Sequence, residues 1–219
     1  YLTNRQQCVK YGQIKSTLRP VIPGVPQGST LGPVLFLINV NSLLTLPLQG
    51  PVFSFADDTA VIYSGDSFND AVKKCENDLL KLNDWFRFHK ICPNLKKTKV
   101  TPYYYKKSKT QNISVVWHLS NCLKINCNCE KIEITHLMKY LGIIFNSNLN
   151  WEEHSFYLQS KLRKLNYLMY YVSKIVPPSI RRKIYLAFYE PAFQYGIECW
   201  GGAAEYIFTT NKGATKICR

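Results

Sequence analysis

Asp57 and Asp58 are neighbouring carboxylates set between two apolar runs, Val52 to Ala56 and Ala60 to Tyr63. Two short β-prone runs around a short polar turn predict a tight hairpin. Asp is poor in strands and suits turns, so both carboxylates are expected at the hairpin tip. Neighbours on an extended chain point to opposite faces, so one carboxylate can meet a bound ion directly and the other from the side. Hard cations such as Mg²⁺ take carboxylate oxygens together with substrate phosphates. A rigid hairpin carrying Asp-Asp therefore suits metal-assisted phosphoryl transfer; the plain alternative is an Asp-Asp turn closing a solvent-facing hairpin. A second reactive group is Cys122, Cys127 and Cys129, with His118 and His136 nearby. Zinc sites usually pair their cysteines as C-x₂₋₄-C. One residue separates Cys127 from Cys129, a departure from that pattern, and a metal is not expected there.

The charge distribution sets the hairpin in context. The chain has 219 residues and a formal net charge of +14, which points to a polyanionic partner, most simply nucleic acid. No acid precedes Asp57, and Leu95 to Cys129 and His154 to Tyr189 each hold seven basic residues and no acid. A carboxylate pair in a basic surround is what a phosphate-handling site would show; a solvated basic face is the simpler reading of each segment alone. The other cysteines, at 8, 75, 92, 199 and 218, are scattered. A chain of this size needs no disulfide staples, and free thiols suit a reducing, intracellular setting. No signal peptide or membrane-length apolar run is visible.

Ahead of the hairpin, Pro23, Gly24, Pro26 and Gly28 mark a shaped loop. Ser29 is expected to cap a buried helix with Pro33 in its first turn and Leu31, Val34, Leu35 and Ile38 at helical spacing. Gln27 lies exposed at the junction, and Gly28 permits close backbone approach. Behind the hairpin, Ser67 and Asp70 begin a helix running to about His89. Short strands are expected at Gln7 to Tyr11, Ile113 to Trp117, Leu123 to Ile125, Ile132 to Ile134 and from Lys139 onward. The pattern turns helical from Glu152, with Leu158, Leu162, Leu165, Met169 and Val172 in one stripe. A further helix is expected from Ile180 to about Glu190, capped by Ser179. Its Arg181, Arg182 and Lys183 would then oppose the helix dipole, which favours a polyanion as their partner.

GVPQGSTLGP, FADDT, NLKKT and YLGI, in that order, together resemble a reverse transcriptase, and more narrowly the non-LTR (LINE-type), jockey-like retrotransposon enzymes. The opening YLTNRQQ and closing YGIECWGG share the resemblance. It implies an α+β right-hand polymerase, with an antiparallel palm sheet and packed helices over 1–151, then a helical thumb and the start of a C-terminal extension over 152–219. It implies Asp57 as principal metal ligand, Asp58 as the weaker one, and two Mg²⁺ ions. Gln27 and Gly28, with Phe55 and Ala56, would line the nucleotide and template pocket, and Lys97 would donate a proton to pyrophosphate. Tyr140, Leu141 and Gly142 resemble a primer-gripping turn, and Lys161, Lys164, Arg181 and Arg182 would track the duplex. The implied partners are an RNA template, a DNA primer and deoxynucleoside triphosphates, without a membrane, in the nucleus or the cytoplasm.

The family's first palm motif, with its own metal-binding Asp, and its fingers are not found in this sequence. Pro102 interrupts a strand that usually reads through. The chain is therefore expected to be a piece of a longer polypeptide and to be unable to polymerise alone. The rival reading is a catalytically inactive remnant that only binds nucleic acid. A basic membrane-surface protein is disfavoured for want of a suitable Lys-rich amphipathic helix.

Overall fold

The structure is a computed structural model that describes residues 2–21, 24–103, 113–118, 122 and 127–202. The expected strand at Leu123 to Ile125 lies outside the described residues. The chain divides into two compact units, Tyr1–Thr98 with Gln111–Glu133, and Lys99–Thr110 with Ile134–Arg219.

In the first unit, short strands β1 (Gln6–Gln7), β2 (Lys10–Tyr11), β3 (Ile14–Lys15) and β4 (Arg19–Pro20) form two antiparallel pairs, β1 with β4 and β2 with β3. Helix α1 (Gly32–Val40) and a 3₁₀ turn (Asn41–Thr45) lead into the hairpin β5 (Val52–Phe55) and β6 (Asp58–Val61). Helix α2 (Phe68–Phe88) follows. Its start is as the sequence predicts, with the Asp70 amide donating to Ser67 Oγ at 3.2 Å. The apolar face of α2 buries Leu79, Leu82 and Trp85, and Leu43, Val115, Trp117 and Ile132 are the other buried apolar residues of this unit among those described. Beyond β7 (Lys99–Val100), which belongs to the second unit, β8 (Val115–Trp117) and β9 (Glu130–Ile134) pair antiparallel. The Val116 amide donates to Glu76 Oε1 at 3.3 Å, which ties β8 to α2.

The second unit holds the hairpin β10 (Leu137–Tyr140) and β11 (Ile143–Asn146), then α3 (Glu152–Val172) and α4 (Pro178–Ile184). A π-helical turn (Tyr185–Tyr189), α5 (Glu190–Gln194) and α6 (Ile197–Trp200) complete it. Helix α3 buries Leu158, Leu162 and Met169, three residues of the predicted stripe. Leu162 and Met169 pack with Tyr189 and Ala192, and Leu158 packs with the fully buried Trp200.

Helices and small antiparallel ladders thus make a mixed α and β fold. Four sequence expectations need correction. Helix α1 is not buried: Leu31, Val34, Leu37 and Ile38 are at least half exposed, because among the described residues α1 packs chiefly on the 3₁₀ turn that follows it. Ser29 is not its cap residue; that position is Leu31, and Ser29 Oγ accepts from the Gly32 amide at 3.1 Å from the turn before. The run from Lys139 is a hairpin rather than one strand, since Leu141 and Gly142 both take positive φ. Finally, α4 begins at Pro178 behind Pro177 rather than at Ile180, and it runs on through the π-helical turn into α5, so Arg181, Arg182 and Lys183 stand just past the first turn of one continuous helical run.

Candidate active site

The β5–β6 hairpin pairs Val52 with Val61, Phe53 with Ala60, Ser54 with Thr59 and Phe55 with Asp58. Two residues, Ala56 and Asp57, make the turn, so Asp57 sits in the loop and Asp58 opens β6. The register therefore puts only Asp57 in the turn itself. Ala56 adopts φ 53°, a left-handed backbone that glycine takes without steric cost and alanine does not. Asp57, Asp58 and Phe55 are all exposed, with Phe55 at 65% of its full surface. Asp57 and Asp58 thus present neighbouring exposed carboxylates at this end of the hairpin.

What holds this tip out is a buried carboxylate that the sequence motif does not contain. Asp78, on α2, is completely buried. Its Oδ2 accepts from the Gln49 amide at 2.6 Å and the Gly50 amide at 3.3 Å, just ahead of β5. Lys81 balances the charge at 3.2 Å and donates to the Pro47 carbonyl at 2.6 Å. The Ile62 amide donates to Pro51 O at 3.2 Å and extends the ladder past β5. A Cβ at Gly50 would strike the Ile62 carbonyl and the Tyr63 ring, so only glycine fits this crossing. Tyr63 and Cys75 lie beside the anchor. Burial, then the nearby Cys75 and Asp78, push the Tyr63 phenol above its ordinary range. Burial, then Glu76 and Asp78, push the Cys75 thiol up to about 12. Both groups are neutral and fill space around the charge.

The remaining predicted residues of this unit are exposed and separately placed. Gln27 and Gly28 sit in the turn before α1, with Gly28 at φ 79° and open space around it. Lys97 is exposed in the turn before β7, its amide donating to Asn94 O at 3.0 Å.

In the second unit, Tyr140 pairs with Ile143 across the Leu141-Gly142 turn. Both turn residues have positive φ, 45° and 82°, the twist that favours two-residue hairpins. Tyr195 holds this tip by donating from its hydroxyl to the Leu141 carbonyl at 2.6 Å, and its ring lies 3.2 Å from where a Cβ at position 142 would stand, so a side chain there would make the ring give way slightly. Gly196, at φ 65°, packs on Ile143. The buried Trp200 donates to the Tyr195 carbonyl at 2.9 Å and lies 5.6 Å from the ring of His154. The Nδ1 of His154 accepts from the Ile144 amide at 3.3 Å, and burial lowers its pKa. Tyr195, Gly196 and Trp200 belong to the closing YGIECWGG stretch, whose role in gripping the turn could not be read from spacing.

Lys161, Lys164 and Arg182 are exposed, and Arg181 is half-buried. The buried Nε of Arg181 has no hydrogen-bond partner among the described residues. Lys139 reaches α3 by lying 4.6 Å from the centre of the Tyr157 ring.

The family Reverse transcriptase (RNA-dependent DNA polymerase) matches residues 3–145. The chain belongs to the reverse transcriptase family. Its match takes in both hairpins and Gln27, Gly28 and Lys97, whereas Lys161, Lys164, Arg181 and Arg182 lie beyond it. The jockey-like, LINE-type resemblance holds as well. This reverse transcriptase chain is 25% identical over 215 residues to a probable RNA-directed DNA polymerase from transposon X-element of Drosophila melanogaster, covering 94% of this chain and 22% of that protein. It is 27% identical over 202 residues to the RNA-directed DNA polymerase from mobile element jockey of Drosophila funebris, covering 87% and 20%. The corresponding figures for a probable RNA-directed DNA polymerase from transposon BS of Drosophila melanogaster are 26% over 216 residues, 94% and 23%. The chain thus spans about a fifth of the length of these curated relatives. No solved structure matches it.

Divalent metal use is implied by the reverse transcriptase family in general. Asp57 and Asp58 fit part of such a site, being adjacent, exposed oxygen donors on a braced turn. Among the described residues, no third His, Cys, Asp or Glu joins them in a metal-sized group.

Proposed function

We propose that the chain is the metal-hairpin portion of an RNA-directed DNA polymerase of a non-LTR, jockey-like element. The observation that carries this reading is the exposed Asp57-Asp58 tip, anchored from behind by Asp78, inside the family match at 3–145. Residues 1–151 serve as palm of a right-hand polymerase, and 152–219 as the thumb and the start of a C-terminal extension. The site belongs inside the cell, where its thiols stay reduced.

Asp57 is the principal ligand and Asp58 the lateral ligand of two Mg²⁺ ions, with the rest of the shell supplied from outside the hairpin. When bound, these ions activate a primer hydroxyl and neutralise the leaving pyrophosphate. Gln27, Gly28, Phe55 and Ala56 orient a deoxynucleoside triphosphate on the template. Lys97 holds a proton for the pyrophosphate oxygen. Tyr140, Leu141 and Gly142 grip the primer strand, and Lys161, Lys164, Arg181 and Arg182 neutralise duplex phosphates. Positioning and charge neutralisation are what phosphoryl transfer asks of a protein.

The test is primer extension on an RNA template by the full-length reading frame carrying this chain. Asp57→Asn keeps the shape and removes a ligand. Extension should fall by more than about a hundredfold, the upper end of what losing even an outer-shell metal partner costs, with template binding retained. Undiminished extension would overturn the reading. Binding without any extension by the parent itself would favour the inactive remnant instead.

A further inference from the structure

A second constellation lies outside the machinery above. His118, Cys122, Cys127 and Cys129 present one ligand atom each, and the four atoms lie within 4.8 Å of one another. Cys122 Sγ is 3.4 Å and Cys127 Sγ 3.5 Å from His118 Nδ1. A zinc ion about 2.3 Å from sulfur and about 2.0 Å from nitrogen sets tetrahedral sulfur–nitrogen edges of roughly 3.5 Å. The His118–Cys122 and His118–Cys127 edges match that figure. Among the described residues this is the one His, Cys, Asp and Glu group of such a size, and no disulfide joins its cysteines.

We infer that His118 Nδ1 and the Sγ atoms of Cys122, Cys127 and Cys129 form a tetrahedral Cys₃His zinc site that ties off the connection between β8 and β9.

The fold explains why these residues meet despite their irregular spacing. Strands β8 and β9 pair Val115 with Ile132, Val116 with Lys131 and Trp117 with Glu130. His118 follows Trp117 and Cys129 precedes Glu130, so they stand one step beyond the last pair, side by side at the mouth of the connection. Cys122 and Cys127 are the two remaining ligands, supplied from within it. The register therefore supplies the proximity that a paired C-x₂₋₄-C motif normally supplies through a tight turn. Val115 and Trp117 are buried, so the mouth is fixed to the core of its unit.

The donor chemistry selects the ion. Soft thiolates with one imidazole in a four-coordinate group suit zinc. On binding, three thiols release their protons to solvent, and neutral His118 coordinates through Nδ1. Zinc with three thiolates carries a single negative charge. The stretch Leu95 to Cys129, with seven Lys and no acid, is a favourable setting for that charge. With all four positions filled by protein, the ion has no open place for substrate, which makes the site structural. It closes a long connection and lowers the entropy of ordering it.

The experiment uses the 219-residue chain, purified without a metal-affinity tag and dialysed exhaustively. Elemental analysis should give about one zinc per chain, as a closed structural site retains its ion. A mercurial thiol reagent should release it. Cobalt in its place should show the intense visible bands of a tetrahedral ion and thiolate charge transfer in the near ultraviolet. Alkylation should spare Cys122, Cys127 and Cys129 until the metal is removed, while the exposed Cys92 reacts throughout. Replacing both Cys122 and Cys127 with Ser should reduce retained zinc at least tenfold, and Cys75→Ser should leave it unchanged. If the double variant does not fold, the cobalt spectrum and alkylation pattern of the unaltered chain decide. Zinc lost on dialysis, a pale octahedral cobalt spectrum, a disulfide within the cluster, or zinc retained by the folded double variant would each overturn the site.

Discussion

Hairpins β5–β6 and β10–β11 each turn in two residues, and each carries a non-glycine residue at left-handed φ, Ala56 at 53° and Leu141 at 45°. Their tips are treated in opposite ways. The tip of β5–β6 faces solvent with Phe55, Asp57 and Asp58 exposed, and is braced from behind by Asp78. The tip of β10–β11 is held at its front, where Tyr195 takes the Leu141 carbonyl and crowds Gly142. One turn is left exposed; the other is covered by protein. Similar backbone chemistry therefore serves two ends, and the packing around each turn decides which.

The comparison breaks most severely at the brace. Asp78→Ala leaves the Gln49 and Gly50 amides and Lys81 without their buried partner, and should cost about 1.5–3 kcal/mol in denaturant unfolding, the scale of hydrogen bonds to a charged group. A loss under about 1 kcal/mol, the scale of one ordinary hydrogen bond, would mean that Asp78 is not the anchor. Asp57→Asn should have the converse profile, with extension down by more than about a hundredfold and stability within about 0.5 kcal/mol of the parent, as for an exposed substitution. Tyr195→Phe should cost about 1 kcal/mol, the net worth of one hydrogen bond, read as a lower midpoint for the β10–β11 unit. Ala56→Gly should raise stability by a few tenths to about 1 kcal/mol by relieving left-handed strain, less the entropy that glycine loses. An equal drop would show that the turn is unstrained.

The smallest effect concerns acid. His154 is buried and its pKa is lowered by that burial, so the unfolded chain takes up the proton more readily. The contribution of the neutral ring is full above the ordinary histidine value near 6.5 and is lost as the pH falls below it. Unfolding followed by tryptophan fluorescence between about pH 7.5 and 5 should show this decline, and His154→Asn should flatten it.

Much of this was legible in the sequence, for identifiable reasons. The Asp57-Asp58 hairpin shows itself as two apolar runs about a polar turn, and α2 and α3 as apolar stripes with a clear start. Asp78 was not legible as an anchor, because one acid beside an apolar stripe looks like any solvent-facing helical residue until its partners come from elsewhere. Leu31, Val34 and Ile38 have the spacing of a buried face, but spacing says nothing of whether anything covers it. The start of α4 is hidden in the sequence because Pro177-Pro178 has the look of a chain break, whereas Pro178 is the first helical residue. His118 and Cys129 meet through strand register, which local spacing does not encode.

The brace on the aspartate hairpin also sets an order of events. Asp78 lies 29 and 28 residues after the two amides it captures, with β5, β6 and the turn between them. During synthesis from the N-terminus, the hairpin therefore emerges before the carboxylate that fixes its base, and it is secured only once that part of α2 has been made and folded back. A nascent chain stopped in this interval displays both aspartates on an unsecured hairpin. Competence at this site is a property the ribosome delivers late, when the helix closes behind the turn.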